Sequence, residues 1–324
     1  MKKTIFNIQT QDDFVNTSLT VFKHQFKNNK VYRSFCDLIN RHPSDVTKIE
    51  EIPFLPIEFF KTKKVVSSLD KVAKVFSSSG TTGTITSKHF VTDINLYKQS
   101  YLQGFSYFYK NIEDYVVLAL LPNYLEREGS SLVFMVQDLI DKSKHKESGF
   151  YLHNLQELTK QLITLDAQGN KTLLIGVSFA LLDLIEKQQF LLKNTIIMET
   201  GGMKGRRKEL IREELHKILK NGFGVSKIHS EYGMTELLSQ AYSKGNGLFN
   251  TPPWMQILVR DTEDALTILP PEKTGGINVI DLANYNSCSF IATQDLGKVN
   301  NNGTFEIIGR FDNSDIRGCN LMVL

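Results

Sequence analysis

Ser77-Ser78-Ser79-Gly80-Thr81-Thr82-Gly83 places several hydroxyls and two glycines within seven residues. Glycine lets the backbone approach a ligand closely, so that N–H groups can converge as an anion nest, and serine and threonine add hydroxyl donors. A flexible Ser/Gly hairpin tip has the same composition, so the flanks decide. Two β-branched runs, 71–76 and 85–92, enclose the segment. The expectation is strand–loop–strand.

Working upstream, the first 70 residues read as mostly helical, ending in Ile52-Pro53-Phe54-Leu55-Pro56-Ile57-Glu58-Phe59-Phe60. Its two prolines break regular structure, which predicts a loop packed by aromatics. Downstream, helical and strand periods alternate. Helices are expected at 93–110, 130–141 on a Ser130 cap, 155–165, 179–188 and 206–219. Strands are expected at 115–121, 172–176, 194–198 and 225–229. Such alternation implies a largely parallel sheet covered on both faces. After Trp254 the texture changes to short strands at 255–259, 276–280, 289–293 and 304–308. They predict a smaller, mainly antiparallel or barrel-like part, with no linker separating it.

A chain of 324 residues can bury a large core. The hydrophobic share of 41% and charged share of 23% are those of a soluble globular protein. A net charge of +3 without a basic block argues against a nucleic-acid partner. The basic start, Met1 to Gln9, lacks the apolar run of a secretory leader. The apolar run 116–121 is too short to span a bilayer. Cys36, Cys288 and Cys319 are odd in number and widely spaced, which excludes a disulfide framework and a CxxC clamp. A reducing cytoplasm is the expected compartment.

Two further segments can carry chemistry. Glu231-Tyr232-Gly233-Met234-Thr235-Glu236 follows an expected strand. A carboxylate there can reach Mg²⁺, which takes oxygen ligands and keeps several waters. The glycine permits close approach to a planar ring, and the tyrosine can stack on a base. A helix start, with Thr235 as N-cap and Glu236 in the first turn, explains the same letters. Gln294-Asp295-Leu296-Gly297 is followed by Gly309-Arg310-Phe311-Asp312. A carboxylate can accept both hydrogen bonds of a ribose diol, and an arginine can pair with a sugar oxygen or phosphate. A pair of β-turns is the simpler alternative.

In this order the three segments resemble the adenylate-forming superfamily of acyl-CoA synthetases, luciferases, nonribosomal adenylation domains and phenylacetate–CoA ligases, over roughly residue 50 to the end. Closer features resemble its LuxE-type acyl-protein synthetases: Leu121-Pro122-Asn123-Tyr124-Leu125-Glu126-Arg127 with Ser130-Ser131-Leu132, Glu199-Thr200-Gly201-Gly202-Met203-Lys204-Gly205, Pro252-Pro253-Trp254, and Ile316-Arg317-Gly318-Cys319-Asn320. Two departures stand out. The superfamily loop usually continues Gly-x-Pro-Lys, whereas Gly83 is followed by Thr84-Ile85-Thr86-Ser87-Lys88. The sequence also stops just past the hinge-like motif, so the small C-terminal domain with its catalytic lysine is expected to be missing, as in the LuxE-type subgroup.

The resemblance implies an α/β adenylation domain over 1–308, its smaller β part at about 254–308, and a hinge-like tail at 309–324. It implies activation of a carboxylic acid, of fatty type, with ATP and Mg²⁺. Ser78, Ser79, Gly80, Thr81, Thr82 and Gly83 would hold phosphates, with Thr81 and Glu236 catalytic and Glu236 on the metal. Tyr232, Gly233, Met234 and Thr235 would border adenine, and Asp295 and Arg310 the ribose. Cys319 would accept the acyl group, with Arg317 nearby favouring the thiolate. Other thiol acceptors are CoA, a carrier protein, or a reductase or transferase partner. An aryl/acyl-CoA or carrier-protein ligase, and a nucleotide-binding interaction protein without catalysis, remain alternatives. His229 could border the acyl-adenylate or be structural. His89 and Trp254 are expected to pack, Lys204 to be solvated, and Tyr101, Phe105, Tyr107, Phe108 and Tyr109 to form a core stripe.

Overall fold

The computed structural model describes residues 2–79, 85–122, 129–201 and 210–311. Its helices are α1 (Lys2–Ile5), α2 (Gln11–Asn28), α3 (Lys30–Leu38), α4 (Phe59–Thr62), α5 (Ile94–Tyr109), α6 (Ser131–Ser143), α7 (Leu155–Ala167), α8 (Ser178–Lys187) and α9 (Arg212–Phe223). Its strands are β1 (Leu55–Pro56), β2 (Lys74–Ser77), β3 (Lys88–Val91), β4 (Val116–Leu120), β5 (Gly149–Phe150), β6 (Thr172–Gly176), β7 (Thr195–Thr200), β8 (His229–Tyr232), β9 (Ala241–Ser243), β10 (Phe249–Asn250), β11 (Met255–Arg260), β12 (Thr274–Asp281), β13 (Phe290–Val299) and β14 (Phe305–Arg310).

Twelve of these strands form one sheet in the order β11-β12-β13-β14-β10-β9-β8-β7-β6-β4-β5, with β1 on β13. From β5 to β8 neighbours run parallel; from β8 to β11 they run antiparallel. Every residue of β4 and β6 is buried, as a strand covered on both faces requires. In β11 burial alternates, so one face is more open. Antiparallel pairing begins earlier than the expected 255, at β9 (Ala241–Ser243), and β11 to β14 continue the sheet through the β14–β10 pair, where the Phe249 and Phe305 rings stack at 5.3 Å. β2 and β3 form a separate hairpin on either side of residues 78–87, the expected strand–loop–strand.

Local chemistry accounts for the helix ends. Thr10 and Asp13 form a capping box on α2. The Ser130 hydroxyl caps α6 by accepting from Val133 N–H. One expected strand is displaced: β8 starts at His229, not at Val225. Gly224 ends α9 with φ +67°, and Val225 N–H turns back to the Lys220 carbonyl. Residues 225–228 are therefore consumed by the helix exit. No helix follows Glu231 to Glu236: residues 235–236 form a turn leading to β9, which removes the capping explanation. α9 begins at Arg212, later than the expected 206–219, of which 206–209 lie outside the described residues.

The helical N-terminal segment is pinned to the antiparallel half. Phe290 is buried among the rings of Phe22, Tyr32 and Phe54, with centroids 6.1–6.3 Å away. Beside it the buried Gln25 amide donates to the Asn284 and Tyr285 carbonyls and accepts from Ser289 N–H at 2.9 Å. Gln25→Leu strands these buried groups. It should lower stability by about 2–3 kcal/mol, read from the denaturant midpoint at unchanged slope.

Candidate functional site

The site lies where the hairpin, the end of β8 and the β13–β14 pair meet. At the hairpin base Ser77 N–H donates to the Gly129 carbonyl (2.8 Å), Ser78 N–H to the Ser87 carbonyl (3.1 Å), and Ser87 N–H to Ser78 Oγ (3.0 Å). Gly129 is required there, since a Cβ would stand 2.4 Å from Ser77 Oγ. Ser78 is half-buried and Ser79 exposed. Gly80, Thr81, Thr82 and Gly83 lie outside the described residues, as do Asn123 to Arg127, Gly202 to Gly205, Asp312 and Cys319.

Two buried donors hold the acidic turn, one of them from this hairpin. His89, on β3, is fully buried and its Nδ1–H donates to the Thr235 carbonyl at 2.9 Å. Burial pulls its pKa down to about 4, so the ring is neutral. Asn284 Nδ2 donates to the next carbonyl, Glu236, at 2.7 Å. The Glu236 carboxylate is buried; burial raises its pKa, an effect that the nearby Ser87 side chain opposes. The turn is thereby fixed with its carboxylate at the foot of the hydroxyl-rich segment.

A second line joins the two halves of the sheet. The Tyr232 hydroxyl donates to Asp295 Oδ2 at 2.8 Å, and Arg310 Nε lies 3.1 Å from Asp295 Oδ1. Asp295 and Arg310 are register partners across β13 and β14. Tyr232 is buried edge-on against Phe249 and Phe305. Asp295 is buried while Arg310 is mostly exposed. Gly233 is exposed, and a Cβ there would meet Glu231 Oε1 at 2.4 Å. Met234 and Thr235 are half-buried beside it.

Beneath the turn lie two buried glutamates with opposite fates. Burial would raise Glu199, but His216 and Arg212, with Arg212 Nη1 at 2.8 Å, hold its pKa below the usual range. Glu231 accepts from the Thr200 hydroxyl at 2.5 Å, and burial, with the Glu199 charge nearby, pushes it up to about 7.

Other expected residues fall elsewhere. His229 stands at the start of β8, the end away from the turn, with Nδ1 3.0 Å from the Tyr109 hydroxyl. Trp254 is buried and Nε1–H reaches the Ser100 and Ser239 hydroxyls. Tyr101, Phe105 and Tyr109 belong to the core, whereas Tyr107 is exposed. Two participants were not anticipated. Asp281 accepts from the Leu238, Ser239 and Ala283 N–H groups and steadies the stretch after the turn; nothing in its sequence neighbourhood marked it. Arg260 bonds the Ile277 and Thr293 carbonyls beside Asp295; the only signal was the Gly275-Gly276 pair that makes room for it.

The sequence model of the family described as "Acyl-protein synthetase, LuxE" matches residues 6–116 and 131–324. A curated relative, the long-chain-fatty-acid–luciferin-component ligase of Photorhabdus luminescens, is 33% identical over 66 residues, which is 20% of this chain and 56% of that protein. Among solved structures, 2-hydroxyisobutyryl-CoA ligase in complex with its acyl-AMP superimposes with a TM-score of 0.68 at 12% identity, over 93% of this chain and 68% of that one. ATP-bound MatB from Rhodopseudomonas palustris gives 0.56 at 17% identity, over 75% of this chain and 49% of that one. The matches thus span about half the length of the curated relative and of MatB. At such identities the structural likeness establishes the fold alone, an α/β architecture with a mixed sheet shared with these ligases.

The pH dependence of stability follows from Glu231. A folded-state pKa raised to about 7 means that between the ordinary carboxylate range and pH 7 the folded chain binds more protons than the unfolded one, so stability falls as pH rises. Glu231→Gln should flatten this fall, gaining stability relative to the parent at pH 8 but not at pH 4. Urea unfolding at the two pH values measures it; parallel slopes for parent and variant would contradict it.

Proposed function

The chain belongs to the LuxE acyl-protein synthetase family, and from that premise we propose that it activates a carboxylic acid, of fatty type, with ATP and passes the acyl group to a thiol. The observation that carries this reading is that the Thr235–Glu236 turn, held to the hairpin by His89, follows directly on the strand end that carries the Tyr232–Asp295–Arg310 line. In this reading the domain spans 1–308 and the tail 309–324 carries the acceptor.

A carboxylate oxygen of the acid attacks the α-phosphorus of ATP, the bond from that phosphorus to the β-bridging oxygen breaks, and pyrophosphate leaves. Charge builds on the phosphate oxygens. Ser78, Ser79, Thr81 and Thr82, with the N–H groups of Gly80 and Gly83, are the donors that meet it; preorganised donors of this kind are worth about 10²–10³ in rate each. Asp295 has lone pairs free beyond those used by Tyr232 and Arg310, enough to take a ribose diol. Gly233 and Met234 offer an adenine ring a close backbone edge, with Tyr232 and Thr235 holding that edge from either side.

Among the described residues no group of three or more His, Cys, Asp or Glu side chains gathers as in a protein-built metal cage. The single buried carboxylate of Glu236 fits Mg²⁺, which uses one or two carboxylates and takes its other ligands from phosphate and water. Bound there, the ion would neutralise developing phosphate charge. In the second step a thiolate attacks the acyl carbon and AMP leaves. Cys319 is the proposed acceptor. Cys36 and Cys288 are unsuited, since both are buried and burial raises their thiols to about 12 and beyond. A reducing cytoplasm suits a free acceptor thiol. No helix of the described residues is long and apolar enough to cross a membrane.

Incubation with Mg-ATP and a panel of fatty and aryl acids, followed by intact-mass analysis, tests both steps. The expected result is an acyl adduct mapped to Cys319, absent in Cys319→Ser while ATP–pyrophosphate exchange persists. Product without an adduct would transfer the reading to CoA or a carrier protein. No exchange with any acid would leave a nucleotide-binding protein without catalysis. Glu236→Gln should lower exchange at least about 100-fold; full exchange in that variant contradicts the metal role.

A further inference from the structure

Asp295 sits in an irregularity of the sheet. Gly276 faces Leu296 and Asn278 faces Ala292, so the single residue Ile277 of β12 opposes Thr293, Gln294 and Asp295 of β13. Such a bulge breaks the ladder, and each freed backbone group needs another partner. Arg260 and Thr293 supply most of them. Arg260 Nη1 donates to the Ile277 carbonyl at 2.8 Å and Nη2 to the Thr293 carbonyl at 2.6 Å. The Thr293 hydroxyl donates to the Ile277 carbonyl at 2.9 Å and accepts from Asp295 N–H at 3.1 Å. The Gln294 carbonyl accepts from Phe311 N–H at 2.7 Å. The guanidinium also lies 5.6 Å from the Phe311 ring centroid, on the residue after Arg310. A Cβ on Gly276 would stand 2.5 Å from Arg260 Cζ, so the glycine keeps the seat open. A planar fork with donors at fixed angles suits two carbonyls on different strands; an ammonium does not.

We propose that Arg260 is a positioning residue for nucleotide recognition: its guanidinium replaces the missing ladder at the bulge and so aims the Asp295 carboxylate at a ribose diol. This rests on the reading of Asp295 as the ribose acceptor given above. Arg260 touches no reacting atom. Its effect is confined to the part of the nucleotide that Asp295 reads, so loss of Arg260 alters discrimination at the sugar more than affinity for the rest.

The test compares ATP with 2′,3′-dideoxy-ATP, in pyrophosphate exchange and in calorimetric binding, for the parent chain, Arg260→Met and Thr293→Val. The parent should prefer ATP by about tenfold or more, the scale of hydrogen bonds to a charged group. In Arg260→Met the preference should collapse to about twofold or less, with the dideoxy-nucleotide constant unchanged. Thr293→Val removes the bond to Asp295 N–H without removing a charge and should move the ratio the same way; it decides the matter if Arg260→Met does not fold. Folded variants that keep the full preference overturn the proposal, as does a parent that exchanges without preferring the diol. A parent that neither exchanges nor binds either nucleotide overturns the reading of Asp295 itself.

Discussion

A single hydrogen bond, from the buried Tyr232 hydroxyl to Asp295, spans the place where the two halves of the sheet must agree. Tyr232 ends the strand at which parallel pairing gives way to antiparallel, and Asp295 lies two strands beyond the β9–β10 turnback. The bond is satisfied only if the Phe249–Phe305 seam sets the strands in register. A buried carboxylate that lost this donor would keep only the largely exposed Arg310, and an unsatisfied buried acceptor is costly. The geometry of the site is therefore tied to the closure of the sheet.

Three glutamates near this junction show how environment sets chemistry from one residue type. Glu199 faces a guanidinium and an imidazole and stays ionised. Glu231 faces a hydroxyl and the Glu199 charge and is raised toward neutrality. Glu236 is buried at the hairpin base, and burial raises it although Arg310 and Lys61 pull the other way. One residue type thus takes three different charge states or tendencies according to its neighbours.

Elements with a strong period were legible in the sequence. The fully buried β4 and β6, the Ser130-capped α6 and the strand–loop–strand at 74–91 all lie within a few residues of their expected bounds. Misplacement came where tertiary context overrode local letters. Thr235-Glu236 reads as a helix start, yet its carbonyls are claimed by His89 and Asn284, 146 and 48 residues away, and a helix would need them for itself. The Tyr232, Asp295 and Arg310 motif residues were visible as types at a spacing. Arg260 and Asp281 were not, because their roles are to satisfy backbone groups freed by a bulge and a turn that no residue pattern announces.

The anchoring of Phe311 to the Gln294 carbonyl fixes a point of departure for the chain beside Asp295. Cys319 follows eight residues later. Fully extended, eight residues reach at most about 28 Å, whatever path they take. Any group joined to an anchored point by so short a stretch of chain keeps a local concentration there that does not fall with dilution of the protein, about millimolar for a short flexible tether. In the proposed transfer, a soluble thiol competing for the acyl group would have to match that local abundance.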